Sequence, residues 1–342
     1  MSVFCNVYNR INPSYNKTLI FHIGCDSGFF SEYLGMIFAI SYCKLNNINF
    51  KLYSKNSNFS YSNGWTDYFN PFCEEVYDDV HSIFNRRQRF PKIKAIIKSL
   101  YFKVAQNRTI PPYMFERFKL GMLLQFMQEP FIKKKYGFDY YTFEIWSKIS
   151  NYYSYDRIMM QNTWFDSLSY TGNLRNLFKQ GIKDTWRFSK DVELELDRII
   201  TTLNLPKNYV GMHIRAGDKV QEDKIYDIED YFKLLEIHNS SLRLNNIFLF
   251  TDDYRIVSKA KKNYPMYNIF TLCQENELGY DNEEMNNKSL NEKKESRFLL
   301  FSSIQLLVKS DLFIGVYNSN PDMFIDIVRD SDTFFVDIDE IS

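Results

Sequence analysis

Asn208-Tyr-Val-Gly-Met-His-Ile-Arg-Ala-Gly-Asp-Lys-Val-Gln-Glu-Asp223 is an apolar run that breaks abruptly into ionisable residues. Tyr209 to Ile214 alternates and is rich in residues that suit a pleated surface, which predicts a strand. Arg215, Asp218, Lys219, Glu222 and Asp223 follow within nine positions, at the strand's carboxyl end. In an open α/β sheet that end is where ligands bind.

Downstream, apolar runs and helical periodicity alternate. Patterning predicts a helix near Ile228 to Glu236, a strand Ile247 to Thr251, a helix Tyr254 to Asn263 and a strand Tyr267 to Leu272. An acidic, asparagine-rich loop, Glu275 to Glu295, precedes a helix Ser296 to Lys309 and a strand Asp311 to Val316. A short helix Met323 to Val328 and a strand Thr333 to Asp337 close the chain. Strands spaced by helices imply parallel β-α-β units.

Upstream, the same alternation appears. Leu19 to Ile23 reads as a buried strand, Gly24-Cys-Asp-Ser-Gly28 as a glycine-bearing turn, and Leu34, Ile37 and Phe38 begin a helix. Such a turn places amide N–H groups at a helix start, where phosphate or sugar can approach; a purely structural turn is the alternative. Asn49 to Tyr53 is a second strand, and the polar loop Ser54 to Gly64, which includes Tyr61, leads to Trp65, Tyr68 and Phe69 at helical spacing. Asp184 to Leu203 is patterned as a helix with Ser189 as N-cap, and Pro206 ends it. The expected division is therefore 1–206 and 207–342, with a helical insertion at about 80–163.

At 342 residues, 45% hydrophobic and 18% aromatic, the chain has material for two buried cores. Its 42 basic and 42 acidic residues cancel, so any anionic ligand must be held by local charge, and nucleic acid is not an expected partner. Five scattered cysteines with no CxxC pair argue against a disulfide framework and a structural zinc site, and no His/Cys/carboxylate spacing suggests a metal. Met1 to Arg10 lacks a signal pattern and no eighteen-residue apolar run occurs, so a cytoplasmic location is expected. Between His81 and Phe115 eight basic residues and no acidic one accompany an apolar helical stripe. This basic helix near 86–108 reads as core-packed with a solvated cationic face, or as a peripheral contact with an anionic membrane or lipid-linked acceptor.

Three clusters fall at expected strand ends of the second half: His213 to Asp223, Thr251-Asp252-Asp253, and Tyr317-Asn318-Ser319-Asn320. Arg215 offers a planar fork suited to phosphate oxygens, and Lys219 adds a point charge, so a diphosphate suits the first cluster. Each has a plainer alternative: an Arg215–Asp218 ion pair, a buried and satisfied His213, and Asp252 or Asp253 capping the next helix.

His213-Ile-Arg-Ala-Gly-Asp-Lys-Val220, Phe250-Thr-Asp-Asp253 and Ser310-Asp-Leu-Phe-Ile-Gly-Val-Tyr-Asn-Ser-Asn320 resemble, in order and spacing, the three motifs of the α1,6-fucosyltransferases. Those comprise the core N-glycan and bacterial nodulation-factor enzymes. Gly24 to Gly28, Gly64-Trp65 with Phe69, and Ala260-Lys-Lys-Asn-Tyr-Pro265 extend the resemblance across nearly the whole chain, most weakly between about Val80 and Thr163. It implies an α/β protein of GT-B architecture, two Rossmann-like domains facing a central cleft, and an inverting, metal-independent transfer of fucose from GDP-fucose to a glycan hydroxyl with no other cofactor. By position, Arg215 holds the donor's β-phosphate, and Lys219 stabilises the leaving group. Ser319, Asn320 and the backbone of Gly24 to Gly28 flank the diphosphate, with His213, Asp218, Asp252, Asp253, Asn318 and Tyr61 also on the donor side. The catalytic base falls at Asp223, with Glu222 beside it as the competitor.

The pattern is departed from twice. Its second motif arginine is Ala216, and its guanine-recognising aspartate falls at Ser303, which cannot accept two N–H bonds as a carboxylate does. A UDP- or other NDP-sugar donor is therefore the second expectation, and a catalytically silent nucleotide- or sugar-binding module the third.

Overall fold

The computed structural model describes residues 15–24, 27–86, 121–145, 174–216, 226–279 and 288–338. Two parallel sheets organise them. The first has strand order β3-β2-β1-β4, formed by β1 (Lys17–His22), β2 (Ile48–Tyr53), β3 (Glu74–Glu75) and β4 (Tyr140–Tyr141). The second, in the order β7-β6-β5-β8-β9, is formed by β5 (Val210–His213), β6 (Asn246–Phe250), β7 (Asn268–Phe270), β8 (Leu312–Gly315) and β9 (Thr333–Phe335). All pairings are parallel. In each sheet the order reverses beside a central strand, between β1 and β4 in the first and between β5 and β8 in the second. These are the switch points at which a doubly wound sheet leaves a crevice.

The middle strands are short apolar runs because both faces are covered. All four residues of β5 are buried, and so are all four of β8. Close layering leaves no room for some side chains: a Cβ on Gly211 of β5 would lie 2.7 Å from Ser310 Oγ.

Nine helices are described: α1 (Phe29–Leu45), α2 (Val80–Phe84), α3 (Gly121–Tyr136), α4 (Leu174–Thr185), α5 (Lys190–Thr202), α6 (Ile228–His238), α7 (Tyr254–Asn263), α8 (Leu290–Lys309) and α9 (Asn320–Val328). In α1 nearly every position is buried, because sheet, α4 and α9 surround it. Its first turn meets the second half directly. Phe29 contacts Phe301 of α8, and Phe30 contacts Phe324 of α9, each at 5.1 Å between ring centroids. Trp186 joins Phe30, Tyr33, Phe69 and Phe324 in the same cluster. One aromatic core is thus continuous between the two sheets.

Several boundaries differ from the sequence expectation, each for a physical reason. The run Asp184 to Leu203 is two helices, broken at Trp186–Ser189 so that Phe188 can bridge Phe69 and the Ser189 amide can reach Tyr68 O; Ser189 is the N-cap position, without a side-chain cap bond. Trp65 to Phe69 is a single 3₁₀ turn, Gly64–Asp67, rather than a helix. Within the expected helical insertion Tyr140–Tyr141 is a strand, too short to show a period, paired with β1. Helix α8 starts at Leu290, inside the expected loop, because Ser289 and Glu292 form a reciprocal capping box. Of the basic stretch near 86–108 only Arg86 lies among the described residues, donating Nε to Ser82 O at 3.2 Å. No described helix is long and apolar enough to cross a membrane.

Candidate functional site

At the end of β5, His213 is buried and stacks on Phe250, with ring centroids 4.7 Å apart. Its Nδ1 meets a carboxylate oxygen of Asp322, in the first turn of α9. The other oxygen of Asp322 accepts the Val316 N–H at 2.7 Å. One buried acid therefore ties the strand end of β5 to that of β8 and to the helix that follows. Burial pushes the Asp322 carboxyl above the usual carboxylate range, and the neighbouring His213 opposes that shift. Gly315 makes room for it: a Cβ there would stand 2.6 Å from Asp322 Oδ2. Sequence reading missed Asp322, although an acid just after Pro321 is a first-turn signal.

Beyond His213, Arg215 is half-buried, and the next amide, Ala216 N–H, donates to Asp252 Oδ1 at 2.8 Å. Asp252 thus fixes the turn carrying Arg215. Asp253 is the N-cap of α7, accepting the Arg255 N–H and Nε–H, both at 2.9 Å. The Arg255 hydrogen bonds hold its carboxyl below the usual range. The capping alternative therefore describes where the structure places Asp253. Asp218, Lys219, Glu222 and Asp223 lie outside the described residues.

After β8 the chain turns on a second unanticipated acid. Asp337 accepts the Tyr317 N–H at 2.8 Å and the Asn318 N–H at 3.0 Å. Ser319 then occupies the N-cap of α9, 4% exposed, and its Oγ is buried with no hydrogen-bond partner. Asn320 opens the helix, and Pro321, which lacks the N–H that would be orphaned there, follows.

The first half supplies a second helix start. Gly24 sits at φ +79°, where a Cβ would lie 2.5 Å from Ser57 Cβ, so glycine is required. Its amide donates to the buried carboxylate of Glu32 at 3.1 Å, and its carbonyl accepts from Asn58 N–H at 2.7 Å. Gly28 is the N-cap of α1, has no side-chain cap, and a Cβ there would touch nothing within 4 Å. Packing does not demand that glycine; its lack of a side chain leaves the helix start open. Tyr61 donates its hydroxyl to Asp67 O, while the Asp67 carboxylate gathers the N–H groups of Tyr61, Ser62 and Asn63 at 2.7–2.8 Å. Ser303, by contrast, turns inward: 1% exposed, it donates to Leu299 O at 2.8 Å within its own helix.

The contacts of Phe29 and Phe30 with Phe301 and Phe324 place the starts of α1 and α9 side by side. Two helix N-termini with their partial positive ends, an orphaned buried hydroxyl at the start of α9 and, two residues beyond the His213–Asp322 pair, the half-buried Arg215 are groups that suit an oxyanion. Among the described residues no group of three or more His, Cys, Asp or Glu is arranged to hold a metal.

Two parallel sheets, each reversing its order beside a central strand and joined by one aromatic core, make this a two-sheet α/β protein. Residues 177–319 match the family model for alpha-(1,6)-fucosyltransferase N- and catalytic domains. A 68-residue stretch is 35% identical to an alpha-(1,6)-fucosyltransferase of Drosophila melanogaster, taking in 18% of this chain and 11% of that protein's length. Among solved structures, NodZ alpha-1,6-fucosyltransferase soaked with GDP-fucose matches over 92% of this chain and 93% of its own, at 10% identity and a TM-score of 0.46. POFUT1 in complex with GDP-fucose matches over 95% and 99%, at 11% identity and a TM-score of 0.49.

Proposed function

We propose that the chain is a glycosyltransferase that moves fucose from GDP-fucose onto a glycan hydroxyl with inversion at the anomeric carbon. The observation that carries this reading is the family match to residues 177–319, the segment that bears the β5 and β8 ends of the crevice. The acceptor hydroxyl attacks the anomeric carbon opposite the diphosphate, the bond from that carbon to the diphosphate oxygen breaks, and the hydroxyl proton passes to a carboxylate. Asp223 is assigned that role, with Glu222 as the competitor; removal of a positioned base costs about 100- to 10,000-fold in rate. Charge developing on the departing diphosphate is met by Arg215, Lys219, the Ser319 hydroxyl and the two helix starts, so the transfer is expected to be independent of metal.

The test is release of GDP from GDP-fucose by the purified protein. Slow hydrolysis that survives EDTA and vanishes in Arg215→Ala supports the reading, and Asp223→Asn is expected to lose turnover while keeping donor affinity. Binding of a nucleotide sugar without hydrolysis or transfer of any leaves a silent binding module instead. Ala216 and the inward-turned Ser303 favour a second reading, a UDP- or other NDP-sugar donor. Thermal stabilisation by UDP and not by GDP decides for it. The basic stretch near 86–108 belongs to a separate part of the proposal, attachment to an anionic membrane bearing a lipid-linked acceptor, and salt-sensitive vesicle binding tests it.

A further inference from the structure

Where α8 meets the loop after β2, one cation has no counterpart. Arg297 is 6% exposed, its Nε is buried without a hydrogen-bond partner, and no ion pair reaches it among the described residues. One turn earlier on the same helix, the Lys294 ammonium stands over the rings of Tyr61 at 4.9 Å and Phe298 at 5.8 Å. Nearby carboxylates are already engaged. Glu195 binds Arg198 through both oxygens, at 2.9 and 2.6 Å, and Asp67 is occupied by loop amides. The Tyr68 hydroxyl, beside Arg297, donates to Phe59 O at 3.2 Å.

Leaving a buried guanidinium Nε–H without an acceptor is costly, and an oxyanion that accepts from Nε and a neighbouring Nη together is the chemistry that offsets it. Tyr61, Tyr68 and Phe298 form an aromatic wall beside it, with Tyr61 and Tyr68 at 5.5 Å and Tyr68 and Phe298 at 5.9 Å between ring centroids. Arg297 stands on a different face of α8 from Ser303. One turn on from Arg297, Phe301 packs on Tyr68 and Phe69 of the first half, whereas Ser303 lies six residues, roughly 9 Å, along the helix and about 120° around it.

We propose that Arg297 and Lys294 form an anionic subsite for an acidic sugar, one whose carboxylate or phosphate lies on the guanidinium while its ring packs against Tyr61 and Phe298. In the transferase reading, on which this assignment rests, the acidic sugar belongs to the acceptor.

Thermal shift and calorimetric titration with glucuronate, glucose 6-phosphate and glucose test it on the full chain, with GDP in parallel. The expected result is stabilisation by glucuronate or by the sugar phosphate and none by glucose, with the two acidic ligands telling carboxylate from phosphate. Arg297→Met keeps the stem and removes the charge; it is expected to weaken the acidic sugar at least tenfold, leave GDP unchanged, and leave the ligand-free protein as stable or more so. Lys294→Met, at the subsite's edge, is expected to weaken it less. Equal response to glucose, or no response to either acidic sugar, overturns the subsite. A lower stability of ligand-free Arg297→Met makes the guanidinium structural and overturns it as well. Loss of the GDP response in Arg297→Met assigns the residue to the donor base and also overturns it. GDP binding without acidic-sugar binding leaves the transferase reading standing, and the converse leaves the subsite standing alone.

Discussion

Asp322 is bound twice, by the His213 ring and by the Val316 amide, and is fully buried. Truncating one member of such a pair strands the other without water. Asp322→Ala is expected to cost about 3–5 kcal/mol in urea unfolding, because the β8 turn loses its anchor; a loss below about 1 kcal/mol would show that the pair is not structural. The histidines of the first sheet behave differently. His22 and His81 are buried, with no side-chain acceptor or donor on any of their ring nitrogens. Burial pushes both down to about 4 from an ordinary 6.5, with Arg86 adding to the shift of His22 and Asp78 opposing that of His81. Well above pH 6.5 both are neutral in either state and contribute no pH dependence. As pH falls from 6.5 toward 4 the unfolded chain takes up protons that the fold refuses, so stability drops across that window, with a slope approaching two protons. Urea midpoints from pH 8 to 4.5 check this, and His22→Leu is expected to flatten the slope by up to one proton. At this scale the turn glycine at Gly24 was legible, and its positive φ requires it. The sequence did not announce Asp322, Asp337, Glu32 or Asp67, because an acid that holds backbone amides is written no differently from one on the surface.

Among elements, α8 is set at both ends. Its start is the Ser289–Glu292 box, and its end is held by Arg329, whose buried Nη1 donates to Leu307 O, Val308 O and Ser310 O at 2.7–3.0 Å. A cation satisfying the last carbonyls of a helix also complements its dipole. Arg329→Met takes the guanidinium donor from Val308 O and Ser310 O, while Leu307 O keeps the Ser310 hydroxyl at 2.8 Å. The expected loss is about 3 kcal/mol or more in chemical denaturation, at 1–3 kcal/mol per orphaned group with partial relaxation; no measurable change would mean that water replaces the guanidinium. The elements themselves were largely legible. Tyr254 to Asn263 is a helix over the same residues as expected, since Asp253 caps it and the apolar spacing is clear. Ends were missed where polar composition masked a cap, as at Ser289, or where a strand was two residues long, as at Tyr140–Tyr141. The paired parallel sheets followed from alternation alone, while the placement of the two helix starts side by side depends on ring contacts that no local pattern encodes.

For the molecule as a whole, the shared aromatic core decides how it unfolds. Phe301 alone touches Phe29, Tyr68, Phe69, Trp186 and Phe188, which belong to or pack on the first sheet's layer, from a helix that packs on the second. Calorimetry is expected to show one transition, and Phe301→Ala to lower it as a single peak, at about 3–5 kcal/mol. Two separated transitions would mean that each sheet carries a core sufficient by itself. Because the seam is made of rings rather than of a polar crease, the halves are not exchangeable cassettes. A second half grafted onto a foreign partner would bring Phe298, Phe301 and Phe324 to water, so the two sheets can change only together, one ring contact at a time.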